Sequence, residues 1–268
     1  MSSTRPAAVA GTFYPGEAAA LAAEIAAYLA EVPASAGEFA PKALIAPHAG
    51  YMYSGSVAAR AYARVAPLRD VVRRVVLAGP AHRVYVRGIA VPAVDAFDSP
   101  LGSVPVDAAA IAKLRELAFV EVSTKAHAYE HSLEVHLPFL QSVLADFSLV
   151  PLVVGDATPE EMARALEVLW GGDETLIVVS SDLSHYHSYD EARVIDRRTT
   201  DRILRLATDL DPEMACGAAP INGLLEVARR RGLAARLLDL RNSGDTAGGR
   251  DRVVGYASFA FHEGRGDR

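Results

Sequence analysis

Short apolar runs rich in β-branched residues alternate with helix-periodic segments along most of this chain, and that alternation restricts the fold more than any other feature. The runs lie at 43–46, 75–78, 89–91, 149–154, 175–180, 236–240 and 253–261. A helix is expected over 17–31, where Leu21, Ile25, Tyr28 and Leu29 share one face and Pro33 follows. Further helices are expected over 55–65, 107–117, 133–144, 159–169, 190–207 and 220–231. Strands that are apolar on both sides, separated by amphipathic helices, are the pattern of a mainly parallel sheet covered on both faces. An α/β fold with one central sheet is therefore expected. At 268 residues, with no repeat, linker or composition break, the chain reads as a single domain over 1–268. The last run, Val-Val-Gly-Tyr-Ala-Ser-Phe-Ala-Phe, carries Gly and Ser breaks and suits an antiparallel addition or an edge. The stretch 242–251 reads as a flexible loop.

Composition narrows the function classes. Apolar residues make up 51% and charged residues 22%, the balance of an ordinary well-cored globular protein. A formal charge of -6 argues against nucleic acid or an anionic membrane as partner, because phosphate binding needs a basic footprint. The basic runs Arg73-Arg74 and Arg229-Arg230-Arg231 read as solvated faces. No apolar run is long enough to span a bilayer, and the first residues lack the apolar core of a signal peptide. A single cysteine, Cys216, excludes an internal disulfide and suits a reducing compartment, so a cytoplasmic location is expected.

Ligand sites in open α/β sheets collect in the loops beyond the carboxyl ends of parallel strands. Three expected strands each deliver a histidine there: Pro47-His48-Ala49-Gly50-Tyr51, Gly79-Pro80-Ala81-His82, and Ser180-Ser181-Asp182-Leu183-Ser184-His185. Imidazole, carboxylate and thiolate groups in one pocket are the donors of an iron, copper or zinc site. The same residues also suit a hydrogen-bonded histidine cluster that holds no metal. Cys216 precedes a helix expected to begin near Pro220, where the positive end of the macrodipole favours a thiolate; an isolated cysteine is also a common buried filler.

A second cluster, His127-Ala128-Tyr129-Glu130-His131, matches the His-x-x-Glu-His pattern of inverted zinc peptidases, in which two histidines on one helix hold zinc and the glutamate acts as base. Ser123-Thr124-Lys125 before it and Pro138 after it leave little room for the long helix that motif needs. Glu130 and His131 suit instead a helix N-terminus lining a pocket. No dinucleotide fingerprint, P-loop or nucleophile elbow is present.

Several motifs together resemble the Memo family, whose prokaryotic members are called protein B of the AmmeMemoRadiSam system. They are Gly11-Thr12-Phe13-Tyr14-Pro15-Gly16, the stretch from Pro47 to Gly55, Gly79-Pro80-Ala81-His82, Ser99-Pro100-Leu101-Gly102, the stretch from Glu130 to Gln141, that from Ser180 to Tyr186, Asn242-Ser243-Gly244-Asp245, and Val254-Gly255-Tyr256-Ala257. The resemblance implies a fold like that of the class III extradiol ring-cleaving dioxygenases, with a nonheme metal site. By motif, His48, His82 and Cys216 would be the metal ligands. Asp182 and His185 would be a catalytic acid/base pair or orienting groups, and Tyr51, Glu130 and His131 would line the substrate pocket. Those dioxygenases complete their iron site with a carboxylate where this pattern offers a thiol, so their activity is not implied.

Three functions follow as expectations. The first is an iron-dependent, dioxygenase-like redox protein or enzyme acting on a small molecule or peptide, with Fe(II) the first metal and copper the second. The second is a metal-independent binding or scaffold protein that holds an anionic or phenolic group in the same pocket, with other components of the AmmeMemoRadiSam system as partners. The third is a zinc hydrolase centred on His127, Glu130 and His131.

Overall fold

The computed structural model describes residues 3–33 and 39–263. Four strands that carry no exposed residue, apart from half-buried first residues in two of them, form the middle of a nine-stranded sheet: β2 (Ala43–Ala46), β9 (Thr175–Ser180), β3 (Arg74–Pro80) and β8 (Ser148–Val154), in that spatial order and all parallel. Their continuous apolar runs have a direct cause. Alternate residues point to opposite faces, and both faces are covered. Ala43 and Ile45 pack toward α3 (Ala108–Leu114), α7 (Pro159–Leu169) and α9 (Ala218–Arg231), whereas Leu44 and Ala46 pack toward α1 (Ala18–Ala30), α2 (Tyr51–Tyr62) and α6 (Leu137–Val143).

The margins of the sheet are antiparallel. On one side β4 (Ile89–Val91) runs against β8 and carries β7 (Val120–Val122) beside it. On the other, β12 (Val253–Glu263) runs against β2 and is itself flanked by β11 (Leu233–Asn242) and β10 (His185–His187). The last run of the sequence is thus antiparallel as expected, but it is an interior strand. A small second sheet, β1 (Thr4–Arg5) with β5 (Ala96–Ser99) and β6 (Gly102–Pro105), lies over the face that holds α1, α2 and α6, with Phe97 and Val104 in that core. These pieces and β10 are short and polar, which is why the apolar pattern did not reveal them.

The helix expected over 133–144 is two helices, α5 (His131–Glu134) and α6, preceded by α4 (Thr124–Ala128). Pro138 supplies the reason: it has no N–H and its ring clashes with the carbonyl four residues earlier, that of Glu134, where α5 ends. The break matters for function because it frees Glu130 and His131 to sit at a helix start facing the carboxyl edge of the sheet. α8 (Tyr189–Leu204) packs over β11 and β12. The stretch after Asn242 is ordered by its own side chain, which accepts the Gly244 N–H at 2.9 Å while Asp245 accepts the Asn242 N–H at 3.0 Å. No helix among the described residues is long and apolar enough to cross a membrane.

Candidate metal centre

His48 lies two residues past the end of β2 and His82 two past the end of β3, so both rings sit over the carboxyl edge of the parallel strands. α5 begins with His131 in the same place. The His48 and His82 ring centroids are 5.1 Å apart, those of His82 and His131 4.7 Å, and those of His48 and His131 5.5 Å. One ring nitrogen from each of the three falls within 4.8 Å of the others, and this is the group among the described residues that meets the spacing of a metal site.

Hydrogen bonds assign the proton on two of these rings. Ser180 Oγ donates its single hydrogen to the Ser132 carbonyl at 2.6 Å and so accepts from His48 Nδ1, also at 2.6 Å. His48 therefore carries its proton on Nδ1 and turns the Nε2 lone pair to the shared space. His82 is held likewise. Glu130 Oε2 accepts the His82 backbone N–H at 2.6 Å, and its Oε1 lies 2.9 Å from His82 Nδ1. Burial pushes the Glu130 carboxyl up, but the bonds from His82 and from the Ser132 N–H outweigh it and bring it down to about 2. An ionised carboxylate on Nδ1 leaves Nε2 of His82 as the free donor, which is the arrangement found behind metal-bound histidines. His131 Nδ1 is buried without a hydrogen-bond partner; Glu130 Oε1 is 3.4 Å away but not aligned to take its hydrogen. Burial lowers His131 to about 4 and holds His48 well below its ordinary value, so both rings are neutral donors at pH 7. Three converging imidazoles, one with an orphaned buried nitrogen, are a donor set that fits a transition metal.

A family model described as Memo-like protein matches residues 5–260. The chain belongs to the Memo family. It is 36% identical to a MEMO1 family protein of Ignicoccus hospitalis and 35% identical to one of Aquifex aeolicus, each match covering 96% of this chain and 98% of the relative. In fold it is similar to the crystal structure of an uncharacterized protein from Escherichia coli K12, with a TM-score of 0.55 over 83% of this chain and 99% of that one. At 17% identity that likeness is one of fold alone.

The other residues singled out from this Memo-family sequence divide into those that join the centre and those that do not. Cys216 joins its edge: Sγ lies 3.4 Å from His48 Nε2 and accepts the Asp182 N–H at 3.3 Å. The helix-dipole argument for a thiolate fails here. Burial, and then the Asp182 carboxylate, push the thiol up to about 12, and α9 begins only after Gly217. Gly217 lets the chain close on the sheet at this point, since a Cβ there would meet the Ser180 carbonyl oxygen at 2.5 Å. Asp182 is buried beside His48, whose N–H it accepts at 2.8 Å, and burial pushes its carboxyl up to about 7. His185 lies on β10, half-buried and outside the three-imidazole group, so the structure pairs Asp182 with His48 and Cys216 rather than with His185. Tyr51 turns into the core, where its hydroxyl donates to the Val135 carbonyl at 2.7 Å and its ring packs on Tyr14 and Phe139.

The His-x-x-Glu-His match does not form a zinc-peptidase site. His127 is on α4 and His131 on α5. The buried His127 ring faces Phe97, with Nε2 3.0 Å from the Ala90 carbonyl, while Glu130 is committed to His82. The zinc-hydrolase reading is thereby corrected. Sequence reasoning missed Ser180 and Phe13, whose ring lies 4.9 Å from that of His131. Both stand inside motifs of the resemblance, but only the tertiary contacts give them a part.

A cavity of about 420 Å3 opens beside the centre, lined by His82 and Cys216 together with Arg83, Tyr85, Asp156 and the start of α9. Its volume is that of a small-molecule site, and it lies at the carboxyl ends of β3 and β8, where such folds bind ligands.

Proposed function

We propose that this protein is a mononuclear nonheme metal protein of redox type, with iron(II) as its metal and a small molecule or peptide group as the ligand of the adjoining cavity. The observation that carries this reading is the convergence of His48, His82 and His131 within 4.8 Å, two of them with Nδ1 occupied by a neighbouring side chain. An imidazole set of this kind suits iron, copper or zinc, and the resemblance to ring-cleaving dioxygenases favours iron, with copper second. An iron(II) ion held by His48, His82 and His131 would supply one-electron chemistry.

The chain's own part is to orient and to handle protons. Glu130 and Ser180 hold the two donor rings by their Nδ1 atoms. Asp182, with its carboxyl pushed up to about 7, is able to hold or release a proton beside His48 and Cys216 near neutral pH. His82 and Cys216 line the cavity, so a ligand seated there would lie against one of the three imidazoles and the thiol beside His48.

Anaerobic purification followed by elemental analysis tests the reading. The wild-type chain is expected to carry about one iron or copper ion and the His48→Ala, His82→Ala double variant none. A folded wild-type chain that takes up neither metal overturns it. Ligand binding that persists unchanged in the metal-free double variant favours a binding or scaffold protein instead.

A further inference from the structure

Residues 5–14 reach two parts of the candidate centre, the 127–134 segment that carries Glu130 and His131 and the start of the helix that follows His48. Arg5, on β1, is buried and reaches three acceptors in the segment that carries Glu130 and His131. Its Nε donates to the His127 carbonyl at 3.0 Å, its Nη2 to the Glu130 carbonyl at 2.7 Å, and its Nη1 to the Glu134 carboxylate. Glu134 is fully buried and gathers the same N-terminal segment from the other side. It accepts the Ala8 N–H at 2.8 Å, the Val9 N–H at 2.9 Å and the Tyr14 hydroxyl at 2.6 Å. Between these anchors the chain makes a tight knot, with the Thr12 and Phe13 N–H groups both donating to the Val9 carbonyl. The knot sets the Phe13 ring against His131, and the Phe13 carbonyl accepts the N–H of Tyr51, three residues beyond His48.

We propose that residues 3–14 form a positioning clasp for the centre, in which Arg5 with Glu134 fixes the height of the Glu130–His131 segment over the sheet and Phe13 fixes the ring of His131 and its spacing from His48. The physical reason is specificity of geometry. A buried ion pair contributes little net stability, because desolvating two charges offsets their attraction, but it admits few arrangements of the groups it binds. Arg5 spends two of its three donor directions on main-chain carbonyls on either side of the loop that ends in Glu130. Glu130 in turn holds His82 by both its N–H and Nδ1. A shift of this loop therefore moves two of the three imidazoles at once. Arg5, Glu134 and Phe13 act through other residues and touch no reacting atom.

The proposal rests on the metal-binding reading for its affinity readout, and a second readout is independent of it. Arg5→Met removes the two carbonyl bonds while leaving Glu134 its three other donors; Arg5→Lys restores a charge to Glu134 but not the planar fork that reaches both carbonyls. Phe13→Ala removes the ring contact without leaving a buried polar group. Cobalt(II) titration of the metal-free chain, followed by its visible absorption, is expected to give affinity about tenfold to a hundredfold below wild type in all three variants. Arg5→Lys is expected to recover the unfolding midpoint lost in Arg5→Met without recovering affinity, a split that a merely structural role would not produce. In the metal-free chain the ring resonances of His131 and His82 are expected to move in each variant. Wild-type cobalt affinity together with wild-type ring resonances in Arg5→Lys and Phe13→Ala overturns the clasp. Should Arg5→Met fail to fold, Phe13→Ala and Arg5→Lys decide alone. A wild-type chain that binds no cobalt, iron or copper defeats the metal reading, and the ring resonances still decide the clasp.

Discussion

Glu130 grips His82 twice, taking the backbone N–H on Oε2 at 2.6 Å and facing Nδ1 with Oε1 at 2.9 Å. One carboxylate thus sets both the main-chain position and the ring orientation of a donor that stands on a loop with a side chain 29% exposed. Without that grip the ring would sample several rotamers in water, so its readiness as a ligand comes from Glu130 rather than from burial.

Glu130→Gln tests this directly. The amide offers one acceptor where two are used, and it removes the charge that favours a proton on Nδ1. Metal affinity is expected to fall about tenfold to a hundredfold while the helical circular dichroism signal is kept. Isothermal titration with a chelator as competitor measures it, and an unchanged affinity means that Glu130 does not prepare His82 for metal.

The third protein donor is read from a pair of variants. His131 belongs to the group within 4.8 Å, whereas Cys216 stands beside His48 with a protonated thiol. His131→Ala is expected to lose bound metal on desalting and Cys216→Ser to keep it. The reverse outcome, with a thiolate charge-transfer band in the loaded wild type, assigns the donor to Cys216.

Cys216 is expected to be sluggish toward alkylation when no metal is present. A thiol pushed up to about 12 by burial and by Asp182 is almost wholly protonated at pH 8. Its reaction with iodoacetamide should run roughly a thousandfold slower than that of the same cysteine in the unfolded chain. Equal rates in folded and unfolded protein would contradict the burial argument.

Two histidines outside the centre make the metal-free fold sensitive to acid. Burial holds His127 at about 4 and His136 at about 3, against an ordinary value of 6.5. Both are depressed, so the stability they contribute by staying neutral is fully present above pH 6.5 and is lost as the pH falls toward 4 and then 3. The loss for His127 alone is on the order of 3 kcal/mol, taking about 1.4 kcal/mol per pH unit. Denaturant unfolding across pH 7 to 4 measures it. The slope is expected to shrink in His127→Gln, and an identical slope in that variant refutes the assignment.

The parallel centre of the sheet could be read from the sequence because its strands are buried on both faces and so are written as unbroken apolar runs; 43–46 and 175–180 are strands with those bounds. The strands that escaped, β1, β5, β6, β7 and β10, are two to four residues long and mostly exposed or half-exposed, and a period of two cannot be recognised over so short a stretch. The break between α5 and α6 was also readable in principle from Pro138, but a local apolar pattern running through it on one face concealed it.

The same division holds at the centre. Local sequence determined that His48, His82 and Asp182 would stand just past strand ends, since strand length and the following loop are short-range properties. Which groups then meet there was decided by tertiary structure alone. His131 comes from a helix start far along the chain, Cys216 approaches the sheet through Gly217, and Arg5 reaches across more than a hundred residues to Glu130 and Glu134. The protonation of Cys216 shows why such facts are not local: its place before a helix favours the thiolate, but exclusion of water and the nearby Asp182 carboxylate outweigh the dipole, and both arise only when distant segments pack.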